Sequence, residues 1–385
     1  MHTRKINRVR YSHERMRSEV SLVPDSSIIS TIINIVYLAM FFVFMFFAQR
    51  IQATLMMRQI SKALIKLKLM RDEAEHMTIS AIIEIGKPEK DPKPRLKALL
   101  QFFAIQPVNL DPSGVIRRLE HLFDTSDVRI KEEVKAIAPH ADESQLQNLQ
   151  NLVEVAQALN TIYRVVRHYF LLGKRTGTPY TTMQIHMQLP MIMEEAQAYV
   201  SFLDAFKQGK PIGDGIGALT ASKLMADHNK YEVAKDMEAA EVMIDGRQVL
   251  VTKAMGPGGT VGKPGDAVGN LIKKYGRKVS LIVMIDAGAK LHGENSGEIV
   301  EGIGAAIGGI GVEKYKIEEV ATKYKVPVYA IVIKESLKEV LAPLTEAIYN
   351  AADRALTRLR RVIQERTKEG DVLIVVGVGN TMGIG

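Results

Sequence analysis

The sequence predicts an α/β protein in three parts: an N-terminal transmembrane helix continuing into a long helix, an all-helical middle domain, and a C-terminal three-layer α/β domain with a mostly parallel sheet. Three observations carry this. Ile28–Ala48 contains no charged residue. Residues 95–206 keep helical periodicity throughout. Beyond Glu241, short apolar runs alternate with helical patterns, as strands joined by crossover helices do.

The first element is the uncharged stretch. At about 1.5 Å rise per residue it spans about 30 Å, the thickness of a bilayer's hydrocarbon core. Asn34 is its one strongly polar side chain, suited to a helix–helix hydrogen bond. A cleaved leader would end in small residues, whereas this stretch ends Phe46-Phe47-Ala48-Gln49-Arg50. The formal net charge is +8, and its basic excess flanks the stretch. Arg4, Lys5, Arg8, Arg10, Arg15 and Arg17 precede it; Arg50, Arg58, Lys62, Lys66, Lys68 and Arg71 follow it. Without these residues the chain is slightly acidic, so anionic lipid headgroups, not nucleic acid, are the expected partner. Cysteine is absent, which excludes disulfides, thiolate zinc sites and cysteine nucleophiles. The expected location is a cell membrane, crossed once, with the soluble part in the cytoplasm.

No Pro or Gly interrupts residues 26–85, so the helix is expected to run on past the membrane. Ala53, Ile60, Leu67, Ala74 and Ala81 recur every seventh residue. Met56, Ala63, Met70 and Met77 follow three further on. That is the spacing of a coiled-coil seam, and it predicts a homo-oligomer; the alternative is docking on the chain's own helical domain. The domains expected are a basic tail (1–25), the membrane and juxtamembrane helix (26–86), a helical domain (95–210) and the α/β domain (211–385).

Pro88, Pro92 and Pro94 mark a linker. Asp111-Pro112 opens a helix, with Asp as cap and Pro in the first turn; Asp124–Ser126 is expected to close it. A long helix runs from Gln145 to Leu172, broken by the Gly173–Pro179 segment, and another follows. The predicted strands are Val249–Ala254, Val279–Ile285, Val328–Ile333 and Val372–Val376. The last three are almost wholly Val, Ile and Leu, as in strands buried on both faces. A long helix is expected over Leu337–Glu365, kinked near Pro343, and the Gly302–Gly311 run is read in a helical context.

Ligands of open parallel sheets collect beyond the carboxyl ends of the strands, and three strands here end in glycine-rich or acidic loops. Gly256, Gly258, Gly259, Lys263 and Asp266 follow the first. Glycine backbone there lets N–H groups face an anion, helped by a helix N-terminus. It is no P-loop: Pro257 stands where the first Gly belongs and Pro264 follows Lys263. A plain structural turn is the alternative. Asp286 ends the second strand, with Lys290, His292 and Glu294 close behind; Asp286 and Glu294 are candidates to hold a divalent metal or activate water. Gly377, Gly379 and Asn380 follow the last strand. Asp214, in the glycine-rich link before the α/β domain, is expected to face the same cleft.

The chain resembles an uncharacterised archaeal family of membrane-anchored proteins, known only as a domain of unknown function. The resemblance rests on Pro211-Ile-Gly-Asp214-Gly-Ile-Gly217, Met255-Gly-Pro-Gly-Gly259 with Pro264-Gly265, Ile285-Asp286 and Gly377-Val-Gly-Asn380-Thr381. It implies an archaeal source and brings no activity or cofactor. The last motif is also similar to the Gly-x-Gly-Asn-Thr loop of hydrogenase-maturation peptidases. There it follows the first strand and precedes an acidic ligand; here Gly383-Ile384-Gly385 follow, so the activity is not carried over. Three functions stand as expectations: a membrane-tethered, self-associating protein binding an anionic, phosphorylated small ligand; a metal-assisted hydrolase; and a structural membrane-associated oligomer.

Overall fold

The computed structural model describes residues 26–105, 112–177, 179–309 and 311–385. The basic tail and the Asp111 cap lie outside them. The chain divides into two compact units, Met1–Met56 and Met57–Gly385. The first helix, α1 (Ser26–Gly86), carries residues of both. In the first unit its apolar side chains from Ile28 to Phe47 are all exposed, and the helix is long and apolar enough to cross a membrane. Polar groups there are turned inward: the Thr31 hydroxyl donates to the Ser27 carbonyl at 2.7 Å, which suits a medium that offers no partner of its own.

In the second unit the heptad seam is buried. Ile60, Leu67 and Ala74 have no exposed surface, and Ala63 and Ala81 nearly none. They pack in one core with Leu149, Leu152, Ala156 and Phe202. The seam expected to join two copies is therefore covered by the chain's own helices. These are α2 (Lys93–Leu99), α3 (Pro112–Ile137), α4 (Glu143–Thr176) and α5 (Pro179–Gln208). A reciprocal capping box between Asp142 and Gln145 opens α4, and Gly177 closes it in the left-handed region. Contrary to expectation, α3 runs unbroken through Asp124–Ser126. The Thr125 hydroxyl donates to the His121 carbonyl, so this polar triplet adapts to the helix rather than ending it.

The C-terminal half begins with α6 (Ile216–Met225) and a meander of β1 (Lys230–Ala234), β2 (Met237–Ile244) and β3 (Arg247–Ala254). Then follow α7 (Pro264–Tyr275), β4 (Val279–Ala289), β5 (Ile299–Ile303), α8 (Val312–Tyr324) and β6 (Val328–Glu335). Last come α9 (Leu337–Leu341), α10 (Glu346–Arg366) and β7 (Val372–Gly377). The sheet order is β1-β2-β3-β7-β4-β6-β5. Its four central strands are parallel, and antiparallel strands flank them on both sides. Alternate strand residues face opposite ways. Val283, Ile285 and Val375 meet α6 and α10 on one face, and Ile282, Met284 and Ile374 meet α7 and α8 on the other. The result is three layers.

The strands β1, β2 and β5 are additional to the four expected, and the last helix also differs. β2, Met-Glu-Ala-Ala-Glu-Val-Met-Ile, is rich in helix formers. The Asp245-Gly246 turn, with both φ angles positive, closes the tight hairpin to β3 that overrides them. Gly302–Gly309, read in a helical context, is not helical: it finishes the edge strand β5 and continues as loop. The long last helix is two, α9 and α10. Pro343 lacks an N–H, and Ser336 and Thr345 each cap a separate start.

Candidate functional site

The carboxyl ends of β3, β7 and β4 open onto a cavity of about 620 Å³. One wall is the α/β domain's loops; the other is formed by α3 and α4. Polar ties hold the walls together. The Gly259 N–H donates to Asn148 Oδ1 at 2.8 Å, and Asn151 Nδ2 donates to the Gly259 carbonyl at 2.9 Å. Lys263 pairs with Asp124, and Lys316 with Glu120.

The glycine-rich loops meet here because their backbones approach more closely than a side chain allows. A Cβ on Gly256 would overlap the Ile384 carbonyl, and one on Gly379, whose φ is +122°, would overlap the Asp214 carbonyl. The tail after β7 is threaded between these loops. Thr381 is fully buried, its hydroxyl 2.9, 2.7 and 3.0 Å from the carbonyls of Met255, Gly258 and Thr260. Gly377 packs under α6 against Gly217 and Ala221.

The loop N–H groups expected to receive an anion already hold the chain's own acceptors. Glu313 accepts from the Gly265 N–H in the first turn of α7 at 2.7 Å, Asp214 from the Asn380 N–H at 2.8 Å, and Asp286 from the Ala287 N–H at 2.8 Å. The Gly262 N–H donates to the Thr260 hydroxyl at 3.1 Å. The cavity is acidic instead. Glu120, Asp124, Asp127 and Glu154 line the helical wall; Asp214, Asp236, Asp286 and Glu313 line the other. The lysines facing them are Lys131, Lys235 and Lys263. Apolar Phe123, Val128, Val261 and Ile307 fill the gaps between charges.

Enclosure raises several of these carboxyls. Asp286 is pushed well above the carboxylate range, first by burial and then by the Asp214 charge. Burial raises Asp214 too, against the opposing bond from Asn380. Glu154 is raised to about 7, by desolvation and then by Asp127. Its side chain lines the cavity and is exposed there. Behind Asp214 and Asp286 lies Glu335 on β6, fully buried, both carboxyl oxygens without a hydrogen-bond partner. Burial, then Asp214, Glu339 and Asp286, raise it to about 8.

Of the residues singled out in the sequence, Asp214, Gly259, Lys263, Asp286, Gly379 and Asn380 line the cavity. Gly256, Gly258 and Gly377 serve close packing behind it. Asp266 is drawn to Lys316 at 2.9 Å. Glu294 is not brought to Asp286: it pairs with Lys334 and accepts from the Leu291 N–H, outside the cavity lining. Among the described residues no group of three or more His, Asp or Glu side chains is set to hold a metal ion. Sequence reasoning missed Asp127 and Glu154, which sit on polar helix faces like any solvated acid, and Glu335, which directly precedes the Ser336–Glu339 capping box.

Residues 34–209 match the N-terminal domain of a protein of unknown function (DUF1512), and residues 212–385 match the C-terminal domain of the same description. No curated protein and no solved structure matches the chain. Since the two domains cover almost all of it, the chain belongs to the DUF1512 family.

Proposed function

We propose that this protein is anchored in a membrane by Ile28–Ala48 and binds a small organic cation, an amine, in the cavity between its helical and α/β domains. The single observation behind this is the acidic lining, with Asp286 and Glu154 held in a setting that favours their neutral form. A cationic group reverses that balance: it stabilises the ionised carboxylate and displaces its proton. The volume suits a small molecule, and apolar patches between the charges suit a carbon skeleton. An anionic ligand, the expectation from glycine content, meets loop N–H groups already occupied by Asp214, Asp286 and Glu313. Acid–base catalysis is the second reading, favoured by Glu154, whose carboxyl exchanges protons near neutrality.

The test is thermal unfolding of the full chain in detergent with added spermidine or 1,4-diaminobutane, against inorganic phosphate and adenosine monophosphate. A ligand that binds only the native state raises the midpoint. The amines are expected to raise it, and Asp286→Asn combined with Glu154→Gln to abolish the rise. A rise with phosphate or the nucleotide and none with the amines would overturn the proposal.

A further inference from the structure

The two longest stretches of this chain without Asp or Glu are residues 26–71 and residues 155–193. The first carries Arg58 and Lys62 beyond the apolar segment; the second carries Arg164, Arg167, Lys174 and Arg175. Other helical stretches mix both signs, as in Glu73 and Glu75 of α1 or Glu132 and Glu133 of α3. The fold brings the two acid-free stretches together. The turn between α4 and α5 sits beside the first residues of the second unit: the Thr182 hydroxyl lies 3.6 Å from Met57 Sδ, a Cβ on Gly173 would lie 3.8 Å from the same sulfur, and His186 bonds Gln59.

The turn is both basic and greasy. Lys174 and Arg175 are exposed. Tyr180, Met183 and Met187 follow at helical spacing on one side of α5, 66%, 43% and 71% exposed, and Leu171 is 44% exposed on α4. Such a surface is costly in water. It matches the headgroup zone of a bilayer, where a Tyr ring takes the interface and Lys and Arg meet anionic headgroups. Connectivity keeps it within reach. Met57, which the turn touches, follows Ala48 by nine residues.

We infer that the α4–α5 turn, with Lys174, Arg175, Tyr180 and Met187 at its surface, is a second membrane contact that rests on anionic lipid. It ties the cavity-bearing body to one leaflet, the anionic one, and so to the cytoplasmic side. The inference rests on the membrane anchor of the proposed function and is independent of the cavity's ligand.

Because the chain has no cysteine, single-cysteine variants report one position each. The full chain carrying Tyr180→Cys, Phe44→Cys or Leu291→Cys is spin-labelled and placed in vesicles of phosphatidylcholine alone or mixed equally with phosphatidylserine. Access to lipid-soluble oxygen and to a water-soluble nickel chelate is then compared. The label at position 180 is expected to favour oxygen in the mixed vesicles. It is expected to return to the chelate in high salt, which screens charges beyond a few ångströms, and in the Lys174→Glu, Arg175→Glu background. The label at 291, on an exposed loop residue, reports water throughout. A label at 180 as chelate-accessible as that at 291, or oxygen contact unchanged by the charge reversal, overturns the inference. The label at 44 separates the failures: in lipid, only the second contact is lost; in water, the anchor itself is.

Discussion

Asp286 and Glu294 lie close together in the chain and carry the same group, yet they end in opposite environments. Asp286 is 6% exposed, its neighbours another carboxylate and two backbone N–H groups. Glu294 sits in a surface loop with Lys334 beside it. The next strand repeats the contrast within two residues. Lys334 and Glu335 are consecutive on β6 and point to opposite faces; Lys334 reaches Glu294, while Glu335 is sealed behind the cavity without a partner. The sheet's end thus sorts identical side chains into two classes. Those turned inward resist ionisation, and those turned outward are held ionised. The two classes respond to pH with opposite sign, which makes the comparison testable.

The largest effect belongs to Glu335. Its folded carboxyl titrates at about 8 against an ordinary 4.5. Between those values the folded chain keeps a proton that the unfolded chain has lost, so stability falls as pH rises through the window and levels off below it. Glutamine cannot ionise and removes the slope. Each tenfold change in proton affinity is worth about 1.4 kcal/mol, and relaxation around the buried group trims the sum. Glu335→Gln is therefore expected to be about 2–4 kcal/mol more stable than the parent at pH 8 and no more stable at pH 4.5. Denaturant unfolding at the two pH values checks it. Equal stability at pH 8 would put Glu335 in the outward class and break the comparison.

How much of this was legible beforehand depends on what kind of signal each part left. The apolar stretch and the parallel strands are continuous runs, readable because burial on all sides demands apolar residues at every position. Asp286 stood out as a charge at the end of such a run. The seam of α1 was legible as a stripe, but a stripe fixes only that it is covered. Spacing alone does not distinguish a second copy from Leu149 and Phe202 of the same chain. The strands β1, β2 and β5 left weaker marks, because edge strands and Ala- and Glu-rich segments take their conformation from neighbours. Glu335 and Glu154 left none. Their chemistry comes first from burial and then from groups far away in sequence, Asp214 for the one and Asp127 for the other.

Asp286→Asn is the intermediate case. The amide keeps an oxygen for the Ala287 N–H and loses the capacity for charge. Since the folded carboxyl is raised, the parent loses stability as pH climbs above the ordinary carboxylate range, and the variant is expected to lose less. The gain should be smaller than for Glu335, because Asp286 has backbone donors to support its ionised form and Glu335 has none. A variant less stable than the parent at pH 8 would show that Asp286 is ionised and partnered, which sharpens the comparison by moving its boundary inside the cavity.

The smallest effect, and the one with reversed sign, is expected at Glu294. Bonds from Lys334 and then from the Leu291 N–H hold its carboxyl below the usual range. The contribution is therefore present above the unfolded value and lost as pH falls through the folded one. Because the pair is open to water, salt screens it and side-chain freedom opposes it. Glu294→Gln should lower the unfolding midpoint slightly at pH 7, less so in high salt, and not at all once the parent's carboxylate is protonated. Midpoints measured across that range in low and high salt decide the matter. A drop that grows toward acid pH would mean that Glu294 is protonated in the folded chain, and then exposure to water at this end of the sheet would no longer explain which carboxyls here are ionised.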